Sequence, residues 1–423
     1  MVSIRSKVCG IDVHKKILVA TVLDRFGNKQ TNNFTNNISG IYLLRNWIYQ
    51  EKCEIVAFES TGDYWVQLYE SLEPIVPIEV ANAFHIKHFP GKKTDVEDSE
   101  WIAQLALNSQ ITPSRIFQGE QRDLRSLTRY RELLIQQRTL LKNKIHHILD
   151  ASNVRLSHVL TDIFGKTGNL VINALINGTC IDEVLKHIPK NLNKRKDEIR
   201  EAISCSLSQR ELLMLKSSLN LINGINSEIK EIETMIDYYI TANHQDKMKI
   251  LLSIPGVGHT GACVLISEIG NASDFSSGEK LAAWAGIVPS VYQSAGTLRM
   301  GSITKRGNSH LRTILVEIAH ACARKKGTKL WEFFERIKNH SGYKKAIVAL
   351  ARKLITIIWH LLMNKETYAD ENYTQKQKTT IPEFLKMVSK IGIDEAIELI
   401  ENAKKEVNNQ LETGSLFKSG EGI

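Results

Sequence analysis

The sequence predicts an α/β domain followed by an all-α remainder. Three observations predict it. Short runs rich in Val and Ile alternate with helical spacings through the first hundred residues. Apolar residues then recur every seven positions along two long stretches. Beyond Lys249, short apolar helices are separated by glycine-containing breaks.

Cys9–Val13 and Ile17–Leu23 read as strands joined by the polar turn His14-Lys15-Lys16, and Lys29–Phe34 as a third strand after Phe26-Gly27-Asn28. Ile41–Tyr49 has helical spacing, Glu54–Phe58 is a buried strand, Tyr64–Leu72 a helix and Ile78–Ala81 a strand. Asp95–Leu107 closes the region as a helix with Ile102, Leu105 and Ala106 on its apolar face. Three antiparallel strands followed by alternating helices and strands is the layout of the ribonuclease-H-like fold.

In the middle, Leu127, Leu134, Leu141 and Ile148 form one seven-residue series. Leu215, Ile222, Ile229 and Ile236 form another, with Ile225 and Ile232 at the companion positions. Both argue for long helices paired as a coiled coil, either within one chain or between two. Asn153–Cys205 between them reads as mixed helical, with breaks at Gly165, Gly168 and Gly178. The third region has helices around Thr260–Ile269 and Glu279–Ala285, a Gly/Ser-rich loop, and helices from Ser309 and Tyr343. A polar tail follows Asn364, with one amphipathic stretch over 382–407.

Composition bounds the class. With 43% hydrophobic and 24% charged residues in 423, the chain can bury sizeable cores, which excludes extensive disorder. Gly at 25 and Pro at 8 exclude a collagen-like chain. Its six cysteines are too far apart for a zinc ribbon and read as buried free thiols in a reducing compartment. MVSIRSKVCGIDVH lacks the apolar core of a signal peptide. The apolar run Lys345–Met363 carries Arg352, Lys353 and His360 and reads as a core helix, not a membrane span.

The net charge of +9 is concentrated locally. Between Leu298 and Lys329 eight basic residues face one acid, Glu317; from Arg115 to Arg155 nine face four. Two basic blocks in a chain of pI about 9.1 point to a polyanion.

Three constellations carry chemistry. Asp12 ends the first strand, Glu59 ends the next buried one, and Asp95 and Asp98 open the last helix of the α/β region, three apart on one face. If the first and fourth strands are neighbours, Asp12 and Glu59 meet. Clustered carboxylates raise one another's pKa unless a cation compensates, and oxygen-only ligands suit Mg²⁺ in phosphoryl displacement. Taken singly, Asp95 is also a plausible helix cap and Asp98 a first-turn residue favoured by the dipole.

The second is Ile254-Pro255-Gly256-Val257-Gly258-His259-Thr260, a helix-hairpin-helix pattern. Gly256 and Gly258 would let backbone N–H groups approach a phosphate; a tight helix–helix turn is the plainer reading. The third is the loop around Ser294, followed by Arg299, Lys305, Arg306 and Arg312, cations able to offset charge on a phosphorane. On chemistry alone Ser290 and Ser302 compete with Ser294.

These stretches, in order, resemble a known family. Gly10-Ile11-Asp12-Val13-His14-Lys15, Glu59-Ser60-Thr61-Gly62-Asp63-Tyr64-Trp65 and Lys93-Thr94-Asp95-Val96-Glu97-Asp98 come first. Ser253-Ile254-Pro255-Gly256-Val257-Gly258, Leu281-Ala282-Ala283-Trp284-Ala285-Gly286, Gln293-Ser294-Ala295-Gly296 and Ile303-Thr304-Lys305-Arg306-Gly307-Asn308 follow. The chain resembles the insertion-sequence 110 transposases, including the 1111 branch, over roughly residues 7–363.

The resemblance implies a RuvC-like domain at 1–115, a helical coiled-coil domain at 116–247, a transposase domain at 248–365 and a tail at 366–423. It implies that Asp12, Glu59, Asp95 and Asp98 form a DEDD site for Mg²⁺, and that Ser294 is a nucleophile forming a 5′-phosphoserine link. Both would belong to one composite active site. Lys93, Gly256, Gly258, Arg299, Lys305, Arg306 and Arg312 are then candidate nucleic-acid contacts. The implied partners are donor and target DNA, a noncoding bridge RNA, and further copies of the chain, as dimers that assemble into tetramers on DNA. The implied setting is the nucleoid of a bacterial or archaeal cytoplasm. Two other readings stay open: a RuvC-like junction nuclease using water, and a non-catalytic nucleic-acid binder, against which the full acid set argues.

Overall fold

The computed structural model describes residues 5–60, 62–81, 95–189, 192, 195–205, 207–294, 297–370 and 397; at 95–96 and 291–300 the description is of the backbone. The stretch at 382–407 and Lys93 thus lie outside the described residues, Ile397 apart. The chain divides into two compact units, Met1–Asp123 and Leu124–Ile423.

The first unit is built on five strands: β1 (Lys7–Val13), β2 (Ile17–Asp24), β3 (Lys29–Thr35), β4 (Ile55–Glu59) and β5 (Ile78–Ala81). Their order is β3-β2-β1-β4-β5. β1 pairs antiparallel with β2 and parallel with β4, as the ribonuclease-H-like layout requires. Side chains alternate across the sheet. Cys9, Ile11 and Val13 of β1 and Val56 and Phe58 of β4 pack with Ile41, Leu44 and Ile48 of α1 (Ile38–Glu51) and Leu68 and Leu72 of α2 (Val66–Leu72). On the opposite face Val8, Ile55 and Ala57 meet Ile102, Ala103 and Ala106 of α3 (Asp95–Leu107). α1 starts where the Asn37 side chain accepts a hydrogen bond from the Gly40 N–H, and ends at Lys52 in the left-handed region.

Gly10 lets α3 lie close on the sheet. A Cβ there would stand 2.3 Å from both the Ala103 nitrogen and the Ser99 carbonyl oxygen. Gly10→Ala is therefore expected to lift the helix and cost about 2 kcal/mol or more of stability. Thermal melts check this; an unchanged Tm would show that the helix does not seat on the strand.

The second unit is helical. Two long helices, α4 (Gly119–Ala151, which begins in the first unit) and α9 (Gln209–Asn243), run antiparallel. Arg131 pairs with Glu233 at 2.7 Å and the Arg138 guanidinium donates to Asn226 at 2.8 Å. Leu215, Ile222, Ile229 and Ile236 are all buried, so within this chain the heptad face of α9 is a covered seam. Ser208 and Glu211 cap α9 reciprocally, which sharpens its start. At one end of the pair, α5 (Leu156–Val159), α6 (Lys166–Asn177), α7 (Ile181–Lys186) and α8 (Lys196–Ala202) enclose a core around Ile145, Leu149, Leu215 and Leu219. Gly165 and Gly178 bound α6 as expected, but Gly168 lies inside it. Its missing side chain admits the Ile163 carbonyl, 2.1 Å from where a Cβ would stand, so it marks close packing and not a break.

At the other end lie α10 (Gln245–Leu252), α11 (His259–Ile269), α12 (Gly278–Trp284), α13 (Ser309–Cys322), α14 (Lys329–Ser341) and α15 (Tyr343–Asn364). α15 is long and apolar enough to cross a membrane by length and composition. It buries one face, through Ala346, Ile347, Leu350, Ala351, Leu354, Ile355 and Ile358, in the core shared with α12, α13 and α14. The cysteines are all free; Cys9, Cys263 and Cys322 are buried, Cys53 and Cys205 half-buried, and Cys180 is exposed.

Candidate active site and nucleic-acid interface

Strand register brings two of the expected acids level. Ile11 pairs with Phe58, so the next residues, Asp12 and Glu59, lie side by side at the carboxyl ends of neighbouring parallel strands. Both point to the face that carries Val8 and Ala57, the face covered by α3. The direction of α3 follows from its contacts. The Arg5 N–H donates to the Leu107 carbonyl at 3.3 Å, while Ser99 meets Thr21 at 2.7 Å, beside Gly10. The helix thus runs against β1, and its first turn, with Asp95 and the exposed Asp98, lies toward the edge where Asp12 and Glu59 end. A helix N-terminus favours carboxylates, so the first-turn placement also has a plain electrostatic cause.

Asp12 is mostly buried, and its Oδ2 lies 2.9 Å from His14 Nε2. Sequence reasoning treated His14 as a turn residue. The alternation Asp-x-His in an extended strand end puts both side chains on one side, and that was the available signal. The donor set fits a hard divalent cation: Asp12 and Glu59 supply carboxylate oxygens from adjacent strands, and Asp95 and Asp98 stand in the helix that covers them.

Ser294 is not in an open loop. It is the last residue of β6 (Pro289–Ser294), paired antiparallel with β7 (Thr297–Ile303) in a hairpin where Ser294 is opposite Thr297. The segment is rich in Val, Tyr, Thr and Ile, and only two residues separate the strands, so pairing wins over the Gly/Ser content. Arg299 is opposite Tyr292 in the same hairpin. The Ser290 hydroxyl donates to the Ser302 carbonyl at 2.9 Å, which engages one of the competing serines in the hairpin itself.

Backbone bonds hold the basic segment after β7 in place. Thr304 N–H donates to Val288 at 2.9 Å, Lys305 N–H to Gly286 at 3.2 Å and Asn308 N–H to Trp284 at 2.9 Å. Lys305 and Arg306 are exposed. Arg312 turns inward and donates to the Ala285 carbonyl at 3.1 Å, at the end of α12. Asn308 caps α13 by accepting from Leu311 N–H at 3.0 Å, and donates to Glu268 Oε2 at 2.6 Å.

Glu268 is fully buried, and Arg125 and Arg129 reach it from α4 at 2.8 and 2.6 Å. Burial alone would raise its pKa; the hydrogen bonds from Arg129 and Asn308 and the Arg125 charge outweigh that and hold it below the ordinary range. One carboxylate therefore joins the long-helix pair to the end of the basic segment. Nothing in sequence reasoning singled it out, although a lone Glu inside the apolar run Thr260–Ile269 was the signal.

The two glycines of the helix-hairpin-helix pattern separate. Gly256 has φ of 100°, and a Cβ there would stand 2.8 Å from Cys322 in α13. Internal packing alone requires glycine at that position. Gly258 caps α11, is exposed, and has open space where a Cβ would be.

Two family models match the chain: a DEDD transposase model over residues 9–154 and the transposase IS116/IS110/IS902 family over 248–335. They fall on the acid-bearing sheet with α4, and on α10 through α14 with the hairpin between them. The chain belongs to the IS110 transposase family. Several relatives extend beyond these segments. The transposase is 24% identical to the transposase for insertion sequence element IS1111A of Coxiella burnetii, over 86% of this chain and 91% of that one. It is 26% identical to a "probable family 20 transposase" of Pseudomonas aeruginosa, over 74% and 85%. It is 23% identical to a pilin gene-inverting protein of Moraxella bovis, over 85% and 96%.

The transposase also carries a cationic cavity that sequence reasoning missed. About 1230 Å³ opens between the hairpin and α14–α15, lined among others by Lys305, Lys344, Lys345, Arg352, Lys353 and Phe333. Lys353 lies 4.3 Å from the centre of the Phe333 ring, and burial, with nearby Arg336, lowers its pKa. Two basic pairs eight residues apart on an otherwise apolar helix were the signal: two turns bring them to one side.

Proposed function

We propose that this transposase cleaves and exchanges DNA strands with Mg²⁺ held by Asp12, Glu59, Asp95 and Asp98 and with Ser294 as nucleophile, guided by a bridge RNA. The observation that supports it most is the level placement of Asp12 and Glu59 at adjacent strand ends beneath the helix bearing the other two acids. Magnesium, when bound there, supplies positive charge against the phosphoryl oxygens. The Ser294 oxygen bonds to phosphorus as the bond from phosphorus to the 3′ oxygen breaks. Net, the hydroxyl proton ends on that 3′ oxygen, and the 5′ phosphate stays on the serine. Lys305, Arg306 and Arg299 offset the charge that develops. The antiparallel long helices serve as the coiled coil that supports assembly of copies on DNA. RNA guidance rests on the family resemblance.

The test is Ser294→Ala with labelled DNA ends. Wild type is expected to form a denaturation-resistant protein–DNA adduct and the variant none. Adducts that persist in Ser294→Ala would remove the serine, and cleavage without adducts in wild type would favour water as nucleophile. Sequencing of RNA that co-purifies with the full chain tests the guide.

The cationic cavity gives the phosphate backbone a second seat. Replacing both Arg352 and Lys353 with Ala is expected to weaken DNA binding at low salt. It should also make the slope of log K against log[salt] shallower by about 2, close to one unit per lost phosphate contact. An unaltered slope would place the DNA elsewhere.

A further inference from the structure

A second group of ligating side chains meets in the C-terminal unit, away from the residues used above. Asp237 stands near the end of α9, His259 is the first residue of α11, and Cys263 follows one turn later on the same side. His259 Nε2 lies 3.4 Å from Asp237 Oδ1, and its Nδ1 lies 3.8 Å from Cys263 Sγ. One ligand atom from each residue falls within 4.8 Å of the other two. They line a cavity of about 170 Å³, together with Glu233 and Arg131.

We propose that Asp237, His259 and Cys263 form a zinc site that ties α9 to the first turn of α11. The donor set is sulfur, nitrogen and oxygen, which suits Zn²⁺ and not the hard Mg²⁺. Only one ring nitrogen of His259 can hold the ion. Zinc bonds of about 2.0–2.3 Å place tetrahedral ligand atoms about 3.3–3.8 Å apart, so ligand atoms now within 4.8 Å of one another close on an ion by side-chain movements of about 1 Å. Those movements are available: the Asp237 and His259 side chains are 54% and 57% exposed. Cys263 is buried and supplies the fixed ligand. Three protein ligands leave a fourth position for water, reached from the exposed side. Zinc binds the thiolate, so the ion displaces the Cys263 thiol proton when it binds. Glu233, one turn before Asp237 and held by Arg131, adds negative charge beside the site. The site joins the long-helix pair to the exposed Gly258 turn, and so would steady that turn.

The test is cobalt titration of the metal-stripped full chain. The expected result is one saturable thiolate-bound Co²⁺ per chain, counted by its sulfur-to-cobalt charge-transfer band and visible bands of tetrahedral intensity, all bleached by Zn²⁺. Cys263→Ser should lose the charge-transfer band, and Asp237→Asn, at an exposed position, should weaken affinity at least tenfold with circular dichroism unchanged. Cys180→Ser, which removes the exposed thiol, should change nothing. A band that survives Cys263→Ser, an affinity indifferent to Asp237→Asn, or no charge-transfer band in wild type would overturn the proposal. The readout is thiolate absorption, so failure of the carboxylate-site reading would not affect it.

Discussion

Asp12→Asn is expected to slow metal-dependent DNA cleavage by roughly 10³-fold or more while leaving nucleic-acid affinity nearly unchanged. The substitution keeps the size and shape of a side chain at the end of a central strand, so β1 should still pair with β2 and β4. What it removes is one negative charge beside Glu59. Losing several kcal/mol of charge stabilisation in the transition state corresponds to that rate loss, at about 1.4 kcal/mol per factor of ten. Single-turnover cleavage across a range of Mg²⁺ concentrations is the measurement, with binding followed in parallel. His14→Ala is the control. If Asp12 served only to hold His14, which it meets at 2.9 Å, the two variants would lose activity equally. Unchanged cleavage in Asp12→Asn would refute the metal-site assignment.

The second large effect is on stability. Glu268→Gln is expected to destabilise the C-terminal unit by about 2–3 kcal/mol. Removing one member of a buried ion pair costs about 3–5 kcal/mol when the remaining charge is trapped. Arg125 and Arg129 keep 21% and 37% of their side-chain surface and can partly rehydrate, which sets the estimate at the low end. For a unit of this size the Tm should fall by roughly 3–5 °C. The sign of the pH dependence follows from the depressed folded pKa. The stabilisation is present at neutral pH, above the unfolded carboxylate value, and is lost as pH falls through the folded one. Melts at several pH values should therefore show wild type losing its advantage over Glu268→Gln in acid. Parallel curves would show that the charge is not the source. The same carboxylate accepts from Asn308, so the variant should also loosen the cap of α13 and the basic segment before it.

Much of the α/β unit was legible because its signals are local. Ile78–Ala81 and Asp95–Leu107 have the bounds that alternation and helical spacing predict, and β1 to β4 shift by only a few residues at their ends. The adjacency of Asp12 and Glu59 was legible one step further on, since the element order implies that β1 and β4 pair. The heptads predicted two long helices but left open whether they meet in one chain or between two. Arg131–Glu233 and Arg138–Asn226 answer that for this chain, and such cross-pairs carry no periodicity of their own.

The hairpin holding Ser294 was misread as a loop because its glycines and serines are a compositional signal. Strand pairing depends on what lies opposite, and Tyr292 finds Arg299 only once the chain turns. For Gly256 the local G-x-G pattern offers both a phosphate approach and the plainer tight turn; its close neighbour, Cys322, is 66 positions away.

By itself, the amino-acid order determined most of the helices and strands, the Ser294 hairpin excepted, which face of each is apolar, and which acids, serine and cations are available. Those properties follow from spacing along one element. Tertiary structure alone decided that Glu268 would be buried against two arginines, that Arg312 would turn inward while Lys305 stays out, and that Asp237, His259 and Cys263 would meet. Each of these depends on desolvation by, or contact with, a segment remote in the chain, and residue order does not state those distances.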